Sequence, residues 1–217
     1  MVRKVLLLCG ILSSLLYVAS DRLAAIRWEG YSSASQTVSE LIALNAPTRP
    51  LVVPLFIAYG ILVIAFGAGV WQSAGRKRAL RFAAVGLAGK EVLGMAVTLF
   101  FPIHLRGVEG TLTDSMHGIL TGVGLLFMLL AIGSGAAAFG KWFRLYSIAT
   151  ILLFVAGGTL AGLDAPLMAA NLPTPWMGVW ERINIFGYML WVVVFAISLL
   201  GAQEGTGGLR ARAESGR

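Results

Sequence analysis

A single cysteine, Cys9, stands in the 217 residues, so no disulfide can form within the chain. Histidine is almost as scarce, and both copies, His104 and His117, fall in one short stretch. Charge is the most informative shortage. Only 12% of the residues are charged, whereas a soluble domain carries about 25%. The net charge of +7 does not point to nucleic acid, because no basic segment is interleaved with base-stacking aromatics. The apolar runs lack the alternation of barrel strands. No heptad pattern marks an interface between chains, which leaves the oligomeric state open.

What is present is a membrane composition, 58% apolar with a mean hydropathy of +0.82. Apolar runs lie at 5–19, 51–71, 82–101, 117–139, 145–163 and 183–200, most near the roughly 20 residues that cross about 30 Å of hydrocarbon. Lipid-exposed open sheet would leave unpaired backbone groups. The expected fold is therefore all-α, a polytopic membrane bundle of six transmembrane helices over 1–202, with a disordered cytoplasmic tail over 203–217. Gly118/Gly122 and Gly158/Gly162 have the small-xxx-small spacing that lets helices approach closely.

Lys and Arg retained in cytoplasmic connections set the orientation. One side holds Arg3, Lys4, Arg76, Lys77, Arg78, Arg81, Lys141, Arg144, Arg210, Arg212 and Arg217, eleven in all, and the other only Arg22, Arg27, Arg49, Arg106 and Arg182. Both termini are thus expected in the cytoplasm of a multi-pass cell-membrane protein, with a basic inner face suited to anionic lipids. The first run also resembles a cleavable signal peptide, with Val18-Ala19-Ser20 as the small-residue site. Retention is favoured because cleavage would leave an odd number of spans.

The longest segment outside the apolar runs is Tyr31 to Pro50. Thr37-Val38-Ser39-Glu40 matches a capping box, which predicts a short interfacial helix from about Thr37, with Asn45 as its stop and Pro47 and Pro50 barring continuation. Ser39 and Glu40 are expected to point down into the mouth of the bundle. The next outside connection, FPIHLRGVEGTLTDSMHG, carries both histidines; Thr113 can cap the fourth helix, and Asp114 and His117 share one face. Asp164 follows the fifth run. Glu181, Asn184 and Tyr188 then form a helical stripe beside Arg182. Asp114, His117 and Glu181 are expected as the floor of a pocket under the Ser39–Glu40 turn.

Lys90 and Glu91 fall near the centre of the third run. At ~3 kcal/mol per central charge, they outweigh the roughly 3 to 5 kcal/mol supplied by its Leu, Ile, Val and Phe residues. They should face the bundle interior, where charges have a functional or polar partner. Because adjacent helix positions diverge by about 100°, each is expected to pair elsewhere rather than with the other.

Gly30-Tyr31, Ser35-Gln36-x-x-Ser39-Glu40-Leu41 and Ala46-Pro47-Thr48 together resemble the signature of domain-of-unknown-function family 998, multi-pass membrane proteins of bacteria and archaea. The likeness extends to Phe101-Pro102, to Asp114-x-x-His117-Gly118 and to Glu181-Arg182. It implies six helices and an outward polar cluster, and brings no established activity.

The preferred reading is a membrane protein whose outer polar pocket binds a lipid headgroup or small solute. Its candidate residues are Ser39, Glu40, His104, Asp114, His117, Asp164, Glu181 and Arg182. The same set resembles the Ser/His/Asp groups of the alkaline ceramidase superfamily, which implies a lipid hydrolase whose water is activated by a divalent metal on His104, Asp114 and His117. That superfamily's paired histidines on a late helix have no counterpart here. A solute or proton-coupled transporter is a third reading, resting on Lys90 and Glu91, although no inverted repeat is evident. Membrane lipids are the expected partners, and no cofactor is implied outside the hydrolase reading.

Overall fold

The computed structural model describes residues 1–215, with side chains described for residues 1–202. Six helices are arranged in chain order: α1 Val2–Arg27, α2 Arg49–Ser73, α3 Arg78–Phe100, α4 Leu112–Ala138, α5 Lys141–Ala169 and α6 Met177–Ser215. All six are long and apolar enough to cross a membrane, and no strand occurs among the described residues. The chain is a multi-pass membrane protein. The helices outrun the apolar stretches because they continue until a cap or turn intervenes. The side chains of the expected tail over 203–217, and its last two residues altogether, lie outside the described residues.

Each helix packs against its neighbours in sequence, and α6 returns to α1, so the six form a ring. The end bearing the short links at 74–77 and 139–140 is solid. There Phe66 of α2 and Phe139 meet Phe195 of α6 edge-on, each at 5.9 Å, and Trp191 stacks on Phe195 at 4.7 Å. The buried Trp191 donates its indole N–H to Ser147 Oγ at 3.0 Å, which removes the one polar penalty of burying it.

Small residues do bring helices together, and of the expected positions only Gly158 takes part, its Cβ position lying 3.5 Å from Asn184 of α6. A Cβ on Gly86 of α3 would lie 2.7 Å from Phe127 O and Ala131 N of α4, so only glycine permits that contact. Gly118, Gly122 and Gly162 face nothing within 4 Å. α4 and α5, which carry these three glycines, form the sparsest contact between neighbours in the ring.

Candidate functional site

The connection 28–48 is packed against the helices and does not stand apart from them. It is folded across the end of the ring, and the expected interfacial helix is replaced by a single buried 3-10 turn, Ser39–Ile42. The capping-box exchange is present: Thr37 N–H donates to Glu40 Oε2 at 2.7 Å, and Glu40 N–H to Thr37 Oγ1 at 3.3 Å. Propagation fails for a physical reason. Leu41 and Ile42 are drawn into the core, and their carbonyls accept from Thr48 Oγ1 and the Arg49 guanidinium rather than from a following helical turn. Leu44 N–H is taken by Ile103 O, and Asn45 turns the chain at φ 64°.

Three successive residues of this cap reach three different parts of the molecule. Val38 N–H donates to Glu181 Oε2 of α6 at 2.5 Å. Ser39 Oγ lies 3.2 Å from His117 Nε2 of α4. Glu40, 0% exposed, accepts from Arg106 Nε at 2.8 Å and Nη2 at 3.0 Å. Arg106 also donates to Thr174 Oγ1 and Ser35 O, at 2.7 and 2.8 Å, and so ties all three connections at this end together. Glu40 is therefore a fastening and does not enter the mouth as expected; Ser39 does line the cavity below.

Arg182 makes the second fastening. Its guanidinium holds Asp21 of α1 by Nε at 3.2 Å and Nη2 at 2.8 Å, and donates to Ser33 O and Gln36 O at 2.8 and 2.9 Å. It also donates to the Tyr31 hydroxyl at 2.6 Å, which in turn donates to Thr37 O at 2.7 Å. Burial pushes the Tyr31 hydroxyl up from its ordinary value, against the opposing pull of Arg182, so it remains a donor. Arg106, Asp21 and Tyr31 are not among the candidate site residues read from the sequence. A signal for Asp21 exists, since Ser13, Ser14, Tyr17, Ser20, Asp21 and Ala24 form one buried face of α1 at helical spacing.

The histidines separate. His104 gives its backbone N–H and ring Nδ1 to Asp114, at 2.7 and 2.8 Å, while Thr111 caps α4 in place of the expected Thr113 and binds the same carboxylate. His117 instead places Nδ1 2.8 Å from Phe101 O. With Asp114 so engaged, no group of three His, Cys, Asp or Glu among the described residues is arranged to hold a metal. The trio His104, Asp114 and His117 is not brought together as a ligand set. Asp164, on α5, is half-buried and outside the network.

Beneath the cap lies a cavity of about 610 Å³, within the ordinary range for a ligand site. All six helices line it, and its wall is largely apolar. Ser39, His117 and Glu181 line it near the cap, while Lys90 and Glu91 line it at the middle of α3. His117 and Met128, eleven positions apart on α4, both line its wall, which gives a depth of about 16 Å at 1.5 Å per residue. Asp114, His117 and Glu181 thus line the capped end, and the far end, where they were expected as a floor, is formed by other residues.

Lys90 and Glu91 pair directly, Nζ to Oε1 at 2.7 Å, contrary to expectation. The flexible lysine stem bends back across the 100° between adjacent positions. Tyr59 donates to the same carboxylate oxygen at 2.7 Å, and Lys90 Nζ lies 5.1 and 5.7 Å from the ring centres of Tyr59 and Tyr188. Tyr188, fully buried on the cavity wall, leaves its hydroxyl without a hydrogen-bond partner.

A family described as a protein of unknown function (DUF998) matches residues 11–198. The chain belongs to this family. No curated protein and no solved structure gives a match. The DUF998 resemblance rests on four separated stretches, and the cap network joins them: Val38 to Glu181, Ser39 to His117, and His117 to Phe101.

Proposed function

We propose that this DUF998 protein binds a membrane amphiphile, with one hydrocarbon chain in the cavity and the polar end against Ser39, His117 and Glu181. The observation that carries this reading is the open wall. Gly118 and Gly122 of α4 and Gly162 of α5 line the cavity, are exposed, and present no side chain across the gap between the two helices. An apolar chamber that opens sideways among exposed residues such as Leu126 and Leu152 faces hydrocarbon, the solvent from which an acyl chain would come. With both termini cytoplasmic, as the charge bias indicates, the polar end lies at the outer leaflet.

A phosphatidylglycerol analogue with a diazirine in one acyl chain tests this in purified protein reconstituted in nanodiscs. Adducts are expected on the cavity wall from Gly118 to Leu125 and from Gly158 to Ala165. Gly122→Trp should remove them by filling the gap. Adducts confined to outward positions such as Leu126 and Leu152, unchanged by Gly122→Trp, would refute the binding reading.

Metal-dependent hydrolysis has no three-residue ligand group among the described residues to support it. The transporter reading draws on a Lys90–Glu91 pair that is already closed on itself and on Tyr59.

A further inference from the structure

The contact between Ser39 and His117 has a chemical direction. A backbone carbonyl can only accept, so the 2.8 Å contact to Phe101 O fixes the proton of His117 on Nδ1. The neutral ring then offers a lone pair at Nε2, and Ser39 Oγ, 3.2 Å away, donates to it. This is the tautomer a general base needs to take a proton from a serine hydroxyl. A third group orients the base, here a carbonyl in place of a carboxylate; Asp114, one turn earlier, is occupied by His104 and Thr111. Both members of the pair line the cavity, at the end where its apolar wall meets polar groups. An ester carbonyl joins an acyl chain to a polar alcohol at the same kind of boundary.

We propose that Ser39 is a nucleophile and His117 its general base, acting on a carboxylic ester of an amphiphile held in the cavity. The assignment rests on the amphiphile-binding reading above and adds a reaction to it. Ser39 Oγ bonds to the ester carbonyl carbon as its proton passes to His117 Nε2. The carbon–oxygen bond to the alcohol breaks, and the departing oxygen takes that proton. Water, giving a proton to His117, then attacks the acyl-Ser39 ester; the carboxylic acid leaves and the proton returns to Ser39. No metal or redox partner is required. Phe101 O acts as a positioning group, through the ring.

Hexadecyl fluorophosphonate tests the assignment, since an activated serine displaces its fluoride and forms a stable phosphonyl ester. Intact protein in nanodiscs should gain one adduct, mapped by peptide mass spectrometry to Ser39. Ser39→Ala should abolish it, and His117→Ala should slow it by about 100-fold or more, the usual contribution of a general base. A wild-type chain that shows no adduct on Ser39, or one whose rate is indifferent to His117→Ala, overturns the proposal. Mapping on the wild type decides the point even if a variant fails to fold. Diazirine labelling of the cavity in the same preparation separates the two readings. Cavity labelling without a Ser39 adduct sinks the nucleophile alone, and absence of both sinks the binding site as well.

Discussion

Over the capped end of the cavity, Arg106 and Arg182 bind the first connection through charged, part-buried hydrogen bonds, whereas along α4 and α5 the wall includes Gly118, Gly122 and Gly162, which have nothing within 4 Å opposite them. The same protein thus uses its most directional interactions to fasten one side of a chamber and leaves three positions of the other without a side chain. A rigid cap over a yielding wall is the arrangement expected if a ligand is positioned by the first and admitted by the second. If both sides merely filled space, changes of comparable size should have comparable effects on each.

The largest effect is expected at Arg182. Arg182→Ala leaves Asp21, which is 0% exposed, with only the exposed Arg22 at 3.7 Å, and breaking one member of a buried pair costs about 3–5 kcal/mol. Denaturant or thermal unfolding in detergent measures this, and a loss below about 1 kcal/mol would mean that the cap is not rigid. Arg106→Ala is expected next, at roughly 2–3 kcal/mol, because Glu40 keeps the Thr37 donors when the charged ones go. In the Arg106→Ala/Glu40→Ala double variant the loss should be smaller than the sum of the two single losses, since the groups share one contact.

Much of the cap was legible from composition and local pattern. The Thr37/Glu40 exchange follows from sequence spacing, and the six helices follow from apolar length. What could not be read was which groups answer each other over long separations. Arg106 reaches Glu40 across 66 positions and Arg182 reaches Asp21 across 161, and nothing local to either arginine names its partner. Glycine was ambiguous for a different reason. Gly86 and Gly122 look alike in an apolar run, and only the distance between helices tells a close contact from an opening.

Lys90 and Glu91 sit between the two regimes. Lys90→Met leaves Glu91 buried with only the Tyr59 hydroxyl as partner, and a loss of about 1–3 kcal/mol is expected. Lys90→Met together with Glu91→Leu removes both charges and their shared desolvation, so the double variant should recover much of that loss. Unfolding of the two variants side by side provides the measurement. A double variant less stable than the single one would show that the pair fastens the bundle as the cap arginines do.

The smallest effect tests the open wall most directly. At Gly122 an added Cβ meets nothing within 4 Å, so Gly122→Ala carries no packing penalty and gains the helix preference of alanine over glycine, up to about 1 kcal/mol. At Gly86 the same methyl group would be 2.7 Å from backbone atoms that cannot rotate away, and overpacking of that kind costs about 1–3 kcal/mol. The two substitutions are chemically identical and both fall within membrane helices. Opposite signs in parallel unfolding measurements would therefore report the gap between α4 and α5 alone, and a penalty at Gly122 equal to that at Gly86 would mean the gap is closed in the bilayer.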